Sequence, residues 1–254
     1  MNDESGVSEA IGFMLLFMIT VMGIGLVTLY GYPMLLDQQI STDDRNMEQL
    51  MINIQGDVKL LTHSNVPYRD VSMNIAGGSL WVHDFSDTPQ TFQIDYWDGG
   101  SIGPFMPGEV QYTSDGGNTV ITVENGAIVK REQNGEGSTM LAEPRWFYDG
   151  NTGTFVIFLT RFKADNTYSL GGIGNLPMSM CEAPDVVDDP NGAGRSVTIT
   201  YTKDSADDYS KAWENYFTGS SIVDGGLTKT GGSYVLSSVD RLVVKTYNIS
   251  IGRM

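Results

Sequence analysis

Hydrophobic positions fall into three successive patterns along this chain. From Ala10 to Leu36 the run AIGFMLLFMITVMGIGLVTLYGYPMLL contains no Asp, Glu, Lys, Arg or His. Its 27 residues exceed the ~20 that cross a bilayer as a helix. In lipid such a run must be helical, because every backbone N–H and C=O has to find an internal partner. After Asp37 the pattern becomes one-sided. Ile40, Met47, Leu50, Met51, Ile54, Val58 and Leu61 recur at three- and four-residue steps, which predicts an amphipathic helix over roughly 42–62. Asp43, Asp44, Arg45, Glu48, Asp57 and Lys59 line its other faces. Ser41, Thr42 and Asp43 offer an N-cap if the helix restarts there. The alternative is one continuous helix with a bend near Pro33, which lacks a backbone donor.

From Val66 the period falls to two. Val71, Met73 and Ile75 alternate, then Gly77-Gly78, then Leu80 and Val82, which reads as a hairpin. Phe92, Ile94 and Tyr96 alternate again. Thr119 to Val123 and Ala127 to Lys130 flank Asn125-Gly126, a favoured two-residue turn because both residues accept positive φ. Phe155 to Leu159 is a continuous apolar run, read as a strand covered on both faces. Val197, Ile199 and Tyr201 alternate, as do Tyr247, Ile249 and Ile251, so the last strand is expected to pair within a sheet. One short helix interrupts the strands, with Ser205 or Asp204 as cap, Asp207 and Asp208 in its first turn and Gly219 after it. Its aromatic face, Tyr209, Trp213, Tyr216 and Phe217, is expected to pack on a sheet. Gly171 to Gly194, rich in Gly and Pro, reads as a long surface loop.

These patterns predict an α+β fold. Through residue 62 the chain reads as a long helix, apolar and then amphipathic. Residues 63–254 form a mainly antiparallel β-rich domain built as a sandwich or stacked sheets.

Composition narrows the function. Lys and Arg number 15 against 31 Asp and Glu, for a net charge of −16. Nucleic acid is excluded as an expected partner, since phosphate binding needs a basic surface. One cysteine, Cys181, rules out an internal disulfide, and two histidines, His63 and His83, leave little for zinc or a catalytic triad. No catalytic, cofactor-binding or metal motif emerges. Asp185, Asp188 and Asp189 are clustered carboxylates of the type that hold Ca²⁺, but without EF-hand spacing. Asn248-Ile249-Ser250 is a glycosylation sequon in a predicted strand.

The first residues carry a resemblance. Gly6-Val7-Ser8-Glu9-Ala10-Ile11-Gly12-Phe13, followed by the apolar run and Tyr30-Gly31-Tyr32, is similar to the N-terminus of archaeal type IV pilin-like proteins. It most resembles euryarchaeal surface proteins with G-V-S-x-x-x-G-F ahead of an apolar helix. The likeness is most specific over residues 5–36. It implies that residues 1–6 are a short leader cleaved after Gly6, so that the long helix is residues 7–62 with Val7 as the new N-terminus, and Ser5 stands where Lys or Arg is common. It also implies that the bulk of the chain is extracellular. Glu9 then has two readings: pairing with a neighbour's α-amino group in a filament, or complementing the positive end of its own helix dipole. Gly12, Gly23 and Gly25 would allow close approach of another helix.

The expected function is therefore that of a structural, non-enzymatic cell-surface protein without cofactor. It would be a pilin-like subunit or minor component of a filament, with the bilayer and other pilin-like helices as partners. The alternative is a single-pass anchored extracellular β module, with a binding or envelope role, that never assembles.

Overall fold

An unbroken helical path runs from Asp3 to His63. In the computed structural model of the chain the described residues are 3–64, 66–116, 119–132, 137–204 and 207–252, excluding the side chains of residues 3–9. Helix α1 spans Asp3–Leu26 and α2 spans Tyr32–His63, joined by a π-helical turn at Val27–Gly31. That widened turn has a local cause. Pro33 has no N–H, and its ring presses on the carbonyl four residues back. Here Tyr32 N–H donates to Val27 O, five residues back, instead. The expected cap at Ser41, Thr42 and Asp43 is not used. Thr42 Oγ1 donates to Gln38 O (2.9 Å) within the continuing helix.

The chain divides into two compact units, Met1–Arg45 and Asn46–Met254. The described residues of the first are helix alone. In the second, α2 buries Met47, Met51, Ile54, Gln55, Val58 and Leu61; of the stripe that the three- and four-residue spacing marks out, Ile40 and Leu50 are only half-buried, and Gln55 is added.

Among the described residues fifteen strands follow. Ten form a large sheet: β1 (Tyr68–His83), β4 (Glu109–Ser114), β5 (Thr119–Glu124), β6 (Ala127–Glu132), β7 (Ser138–Ala142), β8 (Phe147–Asp149), β9 (Thr154–Lys163), β10 (Tyr168–Met180), β11 (Asp185–Asp189) and β15 (Arg241–Ile251). Their order is β7-β6-β5-β4-β1-β10-β15-β9-β8, with β11 also on β15. Five form a small sheet in the order β13-β14-β12-β2-β3: β2 (Thr91–Asp95), β3 (Ser101–Phe105), β12 (Arg195–Thr202), β13 (Thr228–Thr230) and β14 (Ser233–Val239). The pairing is antiparallel except between β9 and β15, where Leu242 faces Phe155 and Val244 faces Ile157 in parallel register.

The large sheet is covered on both faces. On one, α2 packs against Val71, Met73 and Ile75 of β1, Val110 and Tyr112 of β4 and Ile121 and Val123 of β5. On the other lie the small sheet and α3 (Ser210–Thr218), with Phe92, Ile199 and Trp213 against Val129, Phe155 and Ile157. The aromatic face of α3 is buried as expected: Trp213 meets Phe92 at 4.7 Å between ring centroids and Phe217 at 5.6 Å.

Several readings are corrected. Gly77-Gly78 is no hairpin turn but a bulge inside the single strand β1, whose register on β10 shifts between Ile75 and Leu80. A Cβ on Gly78 would lie 2.3 Å from Thr113 O, and the Tyr112 ring fills that space. Tyr112 Oη donates to the carbonyls of Ala76 and Gly77. The stretch Gly171 to Gly194 is not one loop: it contains most of β10 and all of β11. Pro177 sits in β10 at no cost to the β1 ladder. Its carbonyl accepts from Gly252, so its nitrogen also points away from β1. Helix α3 begins at Ser210, later than read, with Asp208 Oδ1 accepting the Ser210 N–H (2.9 Å); the Ser205 cap lies outside the described residues. In β9, Phe155, Ile157 and Leu159 are buried while Val156 and Phe158 are only half-buried, so one face is better covered than the other.

Asn125-Gly126 makes the expected turn, with φ of 47° and 75°. Its tip is buried rather than exposed. Asn125 Oδ1 accepts Thr160 N–H (2.9 Å), and Gln55 Nε2 donates to Gly126 O (2.6 Å).

Candidate functional site

The apolar helix presents the largest chemical anomaly. Its large side chains are exposed throughout, including Phe13 (72%), Leu29 (71%) and Tyr30 (73%). Each would gain ~1.5–3 kcal/mol by leaving water, so the segment as a whole represents tens of kcal/mol of unburied apolar surface. By length and composition the helix is long and apolar enough to cross a membrane. Its polar side chains suit that setting. Thr20 Oγ1 donates to Leu16 O (2.7 Å) and Thr28 Oγ1 to Ile24 O (2.9 Å), so both hydroxyls are satisfied inside the helix.

A Cβ built on Gly12, Gly23 or Gly25 meets nothing within 4 Å. These positions are open to a neighbouring helix, and none is required by packing within the chain. Gly6, Val7 and Glu9 belong to α1 by backbone; their side chains lie outside the described residues. Pro33 follows the π-helical turn described above.

The other sequence candidates are dispersed. Asp188 is held by Arg241 through two hydrogen bonds (2.7 and 2.6 Å), and Asp189 Oδ1 accepts from the backbone and side chain of Asn191. Among the described residues no group of three or more His, Cys, Asp or Glu is arranged to hold a metal ion. Asn248 is 6% exposed within β15 and donates to Glu182 Oε1 (2.9 Å), so its amide is engaged and covered in the folded chain. Cys181 is exposed and free. His63 lies edge-on to Phe158 and Tyr247, whereas His83 stacks beside Trp81.

A buried carboxyl pair escapes the sequence reading. Glu109 on β4 and Glu124 on β5 are direct cross-strand partners, 5% and 0% exposed. Alternation points them to the face opposite α2, which reads as a solvated polar face. In the structure α3 and the small sheet cover it. Thr122 Oγ1 donates to Glu109 Oε2 (2.9 Å) and Trp213 Nε1 to Glu124 Oε2 (3.3 Å). Gln111 Nε2 donates to Tyr209 Oη (2.9 Å) and Asp207 Oδ2 (3.1 Å), and Asp207 pairs with Arg131. Burial pushes the Glu109 carboxyl up to about 8, and the nearby Asp207 and Asp204 charges push the same way. Burial first, then Glu109, raises Glu124 well above the usual carboxylate range. Two carboxylates facing each other in a dry layer cannot both ionise cheaply. Covered as they are, the pair is a packing feature, without access for a substrate.

A protein-family profile described as a family of unknown function (DUF7289) matches residues 6–252. No curated protein and no solved structure matches the chain. Since that match takes in both the apolar helix and the β domain, the chain belongs to the DUF7289 family.

Proposed function

We propose that this protein is a structural cell-surface subunit of pilin-like design, made to move from a bilayer into a helix-packed filament. One observation carries the reading: a single helical path is apolar on all sides over Ala10–Leu36, then one-sided where it seats on a β domain. Such a rod is stable in lipid before assembly and against copies of itself afterwards, so the transfer never exposes it to water. The open glycine positions favour close helix approach in either setting. The acidic β domain, part of a chain with net charge −16, is the portion displayed outside the cell.

The second reading is an anchored surface module that does not assemble, and Ser5, in place of a basic residue before Gly6, favours it. Intact mass and N-terminal sequencing of the protein from its native cells separate the two. A filament subunit starts at Val7 and appears in sheared filaments. A chain that keeps Met1 and stays wholly with membranes defeats the filament reading and leaves the anchor.

A further inference from the structure

Acids outnumber bases by 31 to 15 in this chain, so an uncompensated basic surface is unexpected. One exists at the C-terminal end of α2. Among the described residues Lys59, Arg145 and Lys245 have no carboxylate within 4 Å, whereas most of the other described Lys and Arg residues do. All three act electrostatically on the same group, the His63 imidazole. Lys59 lies one turn before His63 on α2, and Lys245 is the direct β15 partner of Phe158 on β9. The Arg145 guanidinium sits over the Phe158 ring at 5.6 Å.

Apolar surface adjoins these cations. The row Phe158, Lys245, Val186 crosses β9, β15 and β11 in register, and Val186 is 53% exposed. Phe147 on β8 is 41% exposed and packs on Phe158 at 6.5 Å. Of the carboxylates on this side, Asp188 is paired with Arg241, whereas Glu182, which lines a cavity with His63 and Tyr247, accepts only from the neutral Asn248 amide.

We propose that this patch binds an anionic sugar, with its carboxylate or phosphate met by Lys59, Arg145 and Lys245 and its ring against Phe147. Charge complementarity selects the anion, and the exposed apolar neighbours select a ring over a bare ion. The site is independent of whether the helix assembles into filaments, so it stands if the filament reading fails.

The chain has only two histidines, and this makes a direct test. Imidazole-labelled full-length protein in neutral detergent micelles is titrated with pH in the presence of glucuronate, acetate or glucose at constant ionic strength. A bound anion stabilises the His63 imidazolium, so glucuronate is expected to move its titration midpoint up by about one pH unit. Acetate is expected to do less, glucose nothing, and His83 to stay still. Arg145→Gln with Lys245→Gln, both surface changes, should abolish the response, and Phe147→Ala should lower the glucuronate response to that of acetate. No movement of His63, equal movement with acetate, or equal movement of both histidines overturns the proposal.

Discussion

Glu109 and Glu124 give the β domain a pH dependence of defined sign. An unfolded glutamate releases its proton near pH ~4.3, whereas Glu109 in the folded domain holds it to about 8. Between those values the folded state binds more protons than the unfolded state, so stability falls as pH rises. The contribution is complete below the unfolded value and gone once pH passes the folded one. The expected loss between pH 5 and pH 9 is on the order of a few kcal/mol, measured as the denaturant midpoint of the full chain in micelles. Glu124→Gln keeps the shape and removes the ionisation. It should match the parent at pH 5, exceed it at pH 9 and flatten the profile; parallel profiles for parent and variant refute the account. The turn at Gly126 gives a second, independent residue effect. At φ 75° a Cβ would meet only Thr160 Oγ1, at an ordinary 3.6 Å, so Gly126→Ala strains the backbone without a clash. About 1–2 kcal/mol of destabilisation is expected.

The buried stripe of α2 and its exposed side differ sharply in what they contribute. Ile54 is fully buried and Ile52 is 40% exposed. Ile54→Ala should cost about 2–5 kcal/mol through lost transfer energy and a cavity, and Ile52→Ala less than about 0.5 kcal/mol, both read from denaturant unfolding. On the proposed reading the solvent of α1 is lipid, and Met22→Arg near the centre of the apolar run should cost about 2.5–3.5 kcal/mol of insertion. Its membrane-bound fraction in cell fractionation should drop accordingly, while Met22→Leu should not change it. These helices were legible because one period, apolar all round or one-sided, decides their burial. Strands were legible where one face alone is covered, as with Phe92 and Ile94 of β2 or Val197 and Ile199 of β12. They were not legible where burial is two-sided: β5 buries all six residues, so Thr122 and Glu124 could not be told from a solvated face. Glycine and proline misled in β1 and β10 because the same residues that break a chain also make a bulge or sit where a ladder bond is not needed. The parallel β9–β15 pair joins segments about eighty residues apart, and local periodicity carries no information about such a partner.

Two truncations test whether the chain is built as a rod joined to an independently folded β domain. The second compact unit begins at Asn46, just ahead of Met47, the first residue of the stripe that closes the large sheet. A chain of residues 46–254 therefore loses the lipid-compatible surface and keeps the whole of that interface. It should be soluble and unfold in one cooperative transition. A chain of residues 64–254 loses Met47, Met51, Ile54, Val58 and Leu61 together. At ~1.5–3 kcal/mol for each buried side chain the loss is on the order of ten kcal/mol, comparable to the entire ~5–15 kcal/mol stability of a typical domain. It also bares Val71, Met73, Ile75, Val110 and Ile121, all buried in the full structure, and leaves Gly126 O without its Gln55 donor. That chain should aggregate or bind hydrophobic dye without cooperative unfolding. If instead both chains fold equally well, α2 is only a spacer, and the one-sided half of the helix is not what fastens the rod to the sheet.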